Sequence, residues 1–173
     1  MTVFIALGSN MDDRMGHLRL AVNGLEAAGA TIRGASPVYR SEALTLDPEE
    51  VQPDYLNAVL EIRTDRSPHD LLALAKRIEQ DAGRDLSARR WSPRPLDIDL
   101  LVAGRAQISD DDLVVPHPRL AERRFVLQPW SDLAPNLVVP PPFDDTVSAL
   151  LDRCPDAGSL TLDVRTWLPE FSA

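Results

Sequence analysis

The stretch LDIDLLV at 96–102 anchors the reading of this chain. It follows a segment, 84–95, that Pro93 and Pro95 keep out of regular structure, and it reads as a strand. Successive side chains of a strand face opposite sides. Asp97 and Asp99 therefore share one side, and Leu96, Ile98 and Leu100 share the other. Upstream, Ser67-Pro68 is a good cap and first-turn pair for a helix that ends near Gly83. Its inner stripe would be Leu71, Leu74 or Ala75, Ile78 and Ala82. Residues 55–64 alternate as a strand, and 43–54, with Pro48, Pro53 and a run of acids, read as an exposed loop. A further strand is expected across 31–40. Near the start, VFIAL at 3–7 reads as a buried strand stopped by Gly8. A helix over about 13–28 follows, capped by Asn10 or Asp12 and closed by Gly29. Downstream, short helices are expected near 118–124 and 144–153, separated by the prolines at 140–142.

The order β-α-β-β-α-β gives an α+β fold of the ferredoxin-like pattern, a sheet with helices packed on one side and additional short C-terminal helices. At 173 residues the chain is expected to form one domain, 1–173, large enough to bury a core without staples. Hydrophobic residues make up 44% and charged residues 26%, which excludes a disordered chain or a disulfide scaffold. The single cysteine, Cys154, fits a reducing compartment. With no visible signal peptide and no apolar run of membrane-spanning length, a cytoplasmic location is expected. The net charge of −9 argues against a general nucleic-acid binder.

Against that acidic background, Arg84, Arg89, Arg90 and Arg94 fall within eleven residues and are opposed there only by Asp85. A basic cluster of this kind can hold an anion. The paired carboxylates that follow it suit Mg²⁺, which takes one or two carboxylates plus phosphate oxygens. Together they resemble a polyphosphate clamp, although structural Arg–Asp salt bridges or an acidic edge strand would give the same composition. The sequence holds no P-loop motif. The segment PHPRLAERRF at 116–125 brings His117, Arg119, Arg123, Arg124 and Phe125 together. Tyr39, Tyr55, Trp91 and Phe125 each lie beside polar clusters, where a flat heteroaromatic ligand could stack. Asn57 shares a strand face with Tyr55 and offers both donor and acceptor to a ring edge.

Five blocks, IALGSN at 5–10, PVYRSEAL at 37–44, QPDYLNAV at 52–59, RWSPRPLDIDLL at 90–101 and VPHPRLAERRFVLQP at 115–129, carry a close resemblance. In order and spacing the chain resembles the 6-hydroxymethyl-7,8-dihydropterin pyrophosphokinases of folate biosynthesis, from residue 2 to about 140. The resemblance implies Mg²⁺-dependent transfer of a pyrophosphoryl group from ATP to the pterin's hydroxymethyl oxygen, releasing AMP. It implies two Mg²⁺ ions on Asp97 and Asp99, and catalytic roles for these two and for Arg84 and Arg94. Tyr55 and Phe125 would sandwich the pterin; Asn57, Ser41 and Leu44 would read its edge, and Trp91 would belong to a loop closing over both substrates. Lys76, Glu79, Arg84, Trp91, Arg94, Ile98, His117 and Arg123 fall at positions that contact ATP in the family. The chain departs from the family at Lys76, where well-known bacterial members carry glutamine, at Leu86, where they carry a catalytic-loop arginine, and at Asp112 and Val114. An RNA-binding domain shares this element order, but it would carry aromatic motifs on its central strands that are absent here. A catalytically dead pterin or nucleotide binder is countered by the intact Asp97, Asp99 and Arg94.

Overall fold

The structure, a computed structural model, describes residues 1–43, 51–85 and 92–169. The first strand, β1 (Thr2–Ser9), runs two residues past the expected stop, through Gly8 and Ser9. Helix α1 (Arg14–Ala27) is capped by Asp13, whose Oδ1 accepts the Gly16 N–H at 2.9 Å. Neither Asn10 nor Asp12 provides that cap: Asp12 has a left-handed backbone (φ 51°), and the Asn10 side chain is bonded elsewhere. The single strand expected over 31–40 is two, β2 (Thr31–Ala35) and β3 (Val38–Ser41). The break falls at Ser36-Pro37, where proline has no N–H to give a ladder. There the Ser36 hydroxyl accepts the Val59 N–H at 2.8 Å. Strand β4 (Tyr55–Arg63) is followed by α2 (Pro68–Asp81), with Ser67 accepting the Asp70 N–H as its cap. Both helices end before glycines with positive φ, Gly29 at 88° and Gly83 at 92°, as a left-handed C-terminal residue requires.

Strand β5 (Asp97–Ala103) completes the first half of the chain. Short pairs β6 (Ile108–Ser109) with β7 (Val114–Val115), and β8 (Val138–Val139) with β9 (Asp145–Thr146), decorate the second half. Near 118–124, where a helix was expected, lies a 3₁₀ turn (Leu120–Glu122), and helix α3 (Arg124–Leu133) begins after it. Pro129 reads as a helix breaker, yet it sits inside α3, where the burial of Val126, Leu127 and Trp130 offsets one lost hydrogen bond. Helix α4 (Val147–Asp152) is shorter than expected, and β10 (Leu160–Val164) lies in a tail for which no strand was expected.

The described residues place six strands in the main sheet, with β10-β3-β4-β1-β5 in line and β2 also beside β4; every pair is antiparallel. One face buries Val3, Ile5, Leu7, Leu56, Ala58, Leu60 and Ile62 against Leu18, Val22 and Leu25 of α1 and Leu71, Leu74 and Ile78 of α2. The opposite face is not bare. Phe4, Ala6, Val59 and Leu101 pack there against Val126, Leu127 and Trp130 of α3 and Leu150 of α4, with the Phe4 and Trp130 rings 5.6 Å apart. Helices therefore cover both faces, a correction to the one-sided packing expected from the sequence. The apolar α3 stripe and Phe4 cause it. On that second face the coverage stops short of Gly8, Asn57 and Asp97, which line an open cleft. Among the described residues, no helix is long and apolar enough to cross a membrane.

Leu60 is wholly buried on the central β4, so truncating it leaves a cavity in the core. Leu60→Ala is expected to lower the unfolding free energy by about 2–5 kcal/mol, measured by urea denaturation.

Candidate functional site

Strand register builds the floor of this cleft. Gly8 pairs with Asn57 on one side and Asp97 on the other, and Ala6 pairs with Asp99. Asp97, Gly8, Asn57 and Tyr39 thus form one row across β5, β1, β4 and β3. Gly8 matters because it keeps the row low: a Cβ there would touch the Tyr55 ring at 3.5 Å and Asn57 Oδ1 at 3.8 Å. The cleft has a volume of about 270 Å³ and is lined by acidic, basic and aromatic side chains together. Tyr55, Asn57, Ser41 and Phe125 are in that lining, and so are Arg84, Arg94, Arg123, Asp97, Asp99 and His117. The β5 carboxylates thus face the same space as arginines from three separate segments.

The charges are individually placed. Arg84 Nη1 donates to Asp97 Oδ1 at 2.8 Å and lies 2.6 Å from Glu79 Oε1. Arg94 Nη1 reaches the same Asp97 oxygen at 3.1 Å. Arg123 Nη1 donates to Asp99 Oδ2 at 3.1 Å, with its guanidinium 5.8 Å from the centre of the Phe125 ring. His117 Nδ1 accepts the Arg119 N–H at 3.1 Å, so the neutral ring carries its proton on Nε2, 3.8 Å from Asp99. Burial pushes the Asp99 carboxyl above its usual range, and the neighbouring Asp97 charge adds to that; burial pulls His117 down. Asn57, itself buried, donates from Nδ2 to Ser41 Oγ at 2.9 Å.

Glu79 and Ile98 are joined behind the cleft: the Glu79 carboxylate accepts the Ile98 N–H at 2.7 Å. Glu79 is 4% exposed, and burial raises its carboxyl to about 7 despite the nearby Arg84. Neither lines the cleft, and Lys76, exposed on α2, does not line it either. Asp112 is exposed beyond the cleft, as is Val114 on β7. Leu44, Leu86, Arg89, Arg90 and Trp91 lie outside the described residues. Tyr39, a stacking candidate, turns its hydroxyl to Asp132 and is absent from the lining.

Asn10 is the residue that sequence reasoning missed. It is fully buried; its Oδ1 accepts the Arg94 N–H at 2.8 Å, and its Nδ2 donates to Gln52 Oε1 and the Pro53 carbonyl, each at 3.3 Å. One amide thus ties β1 to the segments leading into Tyr55 and Asp97. The only signal was its place in GSN after a strand, which reads equally well as a helix cap.

The family model described as 7,8-dihydro-6-hydroxymethylpterin-pyrophosphokinase (HPPK) matches residues 4–135. The chain belongs to the HPPK family. It is 40% identical over 131 residues to the 2-amino-4-hydroxy-6-hydroxymethyldihydropteridine pyrophosphokinase of Bacillus subtilis, covering 75% of this chain and 76% of that one. The Haemophilus influenzae protein of the same name is 38% identical over 141 residues, covering 81% and 86%. A folate synthesis bifunctional protein of Arabidopsis thaliana is 40% identical over 131 residues, 76% of this chain, and the match spans only 26% of that longer relative. Among solved structures, wild-type HPPK-DHPS of Plasmodium falciparum with pteroate superposes with a TM-score of 0.67 at 14% identity, covering 88% of this chain and 42% of that one. That likeness is one of fold. All the HPPK-like blocks from IALGSN to RWSPRPLDIDLL, and the lining residues up to Val126, fall inside the matched span.

Glu79 yields a pH test on metal-free protein. Its folded-state carboxyl is raised above the unfolded value, so the folded state holds a proton that the unfolded state has lost between about pH 4.5 and 7. Stability contributed by that proton is present at the acidic end and lost as pH rises through 7. Relative to Glu79→Gln, the wild type is expected to lose roughly 2 kcal/mol between pH 5 and 8, measured by urea unfolding in EDTA.

Proposed function

We propose that this protein transfers the β,γ-pyrophosphoryl group of ATP to the hydroxymethyl oxygen of 6-hydroxymethyl-7,8-dihydropterin, in folate synthesis. The observation that carries this reading is the sharing of one cleft by two kinds of wall. Tyr55, Asn57, Ser41 and Phe125 offer ring faces and amide edges; Asp97 and Asp99 with Arg84, Arg94 and Arg123 offer charge. Membership of the family adds its substrates to that picture. The strand order supports a ferredoxin-like core with short added C-terminal helices, and 1–173 is read as a single domain.

Asp97 and Asp99 fit Mg²⁺. They are hard oxygen donors on one side of β5, and the Asp97 charge adds to the burial that raises the Asp99 carboxyl, a repulsion that a cation between them would relieve. Among the described residues no cluster of three metal-capable side chains forms, so phosphate oxygens and water would complete the shell of the two ions that the resemblance implies. When bound, Mg²⁺ supplies charge neutralisation on the polyphosphate and a template for the attacking oxygen.

The remaining work falls to the chain itself. Tyr55 and Phe125 hold the pterin between ring faces, and Asn57 and Ser41 bond its edge. This places the hydroxymethyl oxygen toward Asp97. Arg84 and Arg94 neutralise charge as the oxygen attacks the β-phosphorus and the bond from that phosphorus to the α-phosphate's bridging oxygen breaks. AMP leaves, and the hydroxyl proton passes to solvent. Arg123 and His117 sit by Asp99 to bind the nucleotide; their placement supports this through the 3.1 Å and 3.8 Å approaches. Glu79 supports the strand from behind through Ile98. Lys76, Ile98, Leu44 and Trp91 enter the proposed set through the resemblance alone. No nucleic acid or membrane partner is proposed, and the location is proposed to be cytoplasmic, although two plant relatives are named mitochondrial.

The test is to mix protein with ATP, Mg²⁺ and hydroxymethyldihydropterin and identify the nucleotide released. AMP is expected, and ADP would point to an ordinary kinase. Asp97→Ala is expected to cut the rate by at least about tenfold with an unchanged circular dichroism spectrum. A smaller loss at saturating Mg²⁺ would remove the metal role from Asp97.

A further inference from the structure

Residues 136–169 lie beyond the span that the family model matches, yet they line a small second cleft that shares Ser41, Glu42 and Phe125 with the main one. The contact is made by Asp156. Helix α3 opens without a side-chain cap from its own N-cap residue, Arg123. The Arg124 N–H, one of the unpaired donors of a first helical turn, is accepted instead by Asp156 Oδ2 at 3.0 Å. Oδ1 of the same carboxylate accepts the Gly158 N–H at 2.8 Å. The negative side chain thus satisfies a donor and opposes the helix dipole, from 32 residues away.

Two residues past Gly158, Leu160 pairs with Ser41 in the β10–β3 ladder. Ser41 accepts from Asn57, and Phe125 is the second residue of α3. Segment 156–160 therefore spans from the base of the Phe125 wall to the end of the Ser41–Asn57 wall. A small cleft of about 90 Å³, touched by Phe125, Ser41 and Asp156, lies along it. The tail is anchored again farther on, where buried Trp167 donates its indole N–H to the Ser36 carbonyl at 2.9 Å. Loss of Asp156 would therefore free the first turn of α3 without releasing the tail. Arg123, one residue earlier, keeps its own tie to Asp99.

We propose that Asp156 is a positioning residue: it fixes the Phe125 wall at the right distance from the Ser41–Asn57 wall, and so sets affinity for the pterin ring while leaving the nucleotide side unchanged. This rests on the pterin reading above. Displacing one wall of a stacking site by even an ångström weakens the ligand's alignment as well as its contact.

Asp156→Ala and Asp156→Asn test it by steady-state kinetics and by amide hydrogen exchange on the ligand-free protein. The alanine variant is expected to raise KM for hydroxymethyldihydropterin about five- to tenfold, with kcat and KM for ATP within about twofold of wild type. The asparagine variant, which keeps an acceptor oxygen, is expected to stay within about threefold on all three. Amides 124–127 should exchange at least about fivefold faster in Asp156→Ala, and those of β10 should not change. An unchanged pterin KM overturns the proposal, even if exchange at 124–127 quickens. An equal rise in both KM values with a lower Tm overturns it in favour of plain structural support. If the wild type binds no hydroxymethyldihydropterin, the functional reading itself falls and takes the positioning role with it. Faster exchange at 124–127 would then still report the cap, so the two failures are distinguishable.

Discussion

Two like charges on one side of a single strand set the terms for everything around them. Asp97 and Asp99 project from β5 into the same cleft, where their mutual repulsion and the partial burial of Asp99 disfavour full ionisation. Arg84, Arg94 and Arg123 answer them, and Glu79 behind the strand brings the set to three guanidiniums and three carboxylates. With Glu79 and Asp99 both raised, the three guanidiniums outweigh the ionised carboxylates near neutral pH. A divalent cation joining the aspartates would add to that positive excess and leave the arginines able to release their carboxylates for phosphate oxygens. The same groups can thus be ion pairs in the free protein and a polyphosphate clamp in the loaded one.

Packing explains why this arrangement is open on one side. The α1–α2 layer covers β1, β2, β4 and β5 on one face of the sheet, and α3 and α4 cover only part of the other. Where that second layer stops, the sheet presents Gly8 in a row with Asn57 and Asp97, and the absent side chain of Gly8 leaves depth for a flat ring. Phe125 at the start of α3 then forms the rim. The aromatic and charged halves of the cleft therefore follow from where one helix begins.

Much of this was legible in the sequence because it is written in local patterns. A short apolar run gave β1, alternation gave β4 and β5, helical spacing gave the buried stripe of α2, and Ser67, Gly29 and Gly83 marked ends through backbone chemistry that acts over a few residues. The shared side of Asp97 and Asp99 followed from strand geometry alone. What stayed hidden depends on partners far along the chain. Asn10 looks like a helix cap until its bond to Arg94, 84 residues on, is seen. The break at Ser36-Pro37 takes its sense from Val59 and Trp167, and Glu79 is buried because β5 lies over it. The helix expected near 118–124 lies instead at Arg124–Leu133, where the burial of Val126, Leu127 and Trp130 against distant strands outweighs the local cost of Pro129.

The most direct measurement of the central claim uses Mn²⁺ as a spectroscopic stand-in for Mg²⁺. Electron paramagnetic resonance would count bound Mn²⁺ with and without a nonhydrolysable α,β-methylene ATP, in wild type and in Asp99→Asn. Tight Mn²⁺ binding is expected only when the analogue is present, and it should weaken by at least about tenfold in the variant. Binding that is indifferent to Asp99→Asn would contradict the assignment of these carboxylates to a cation.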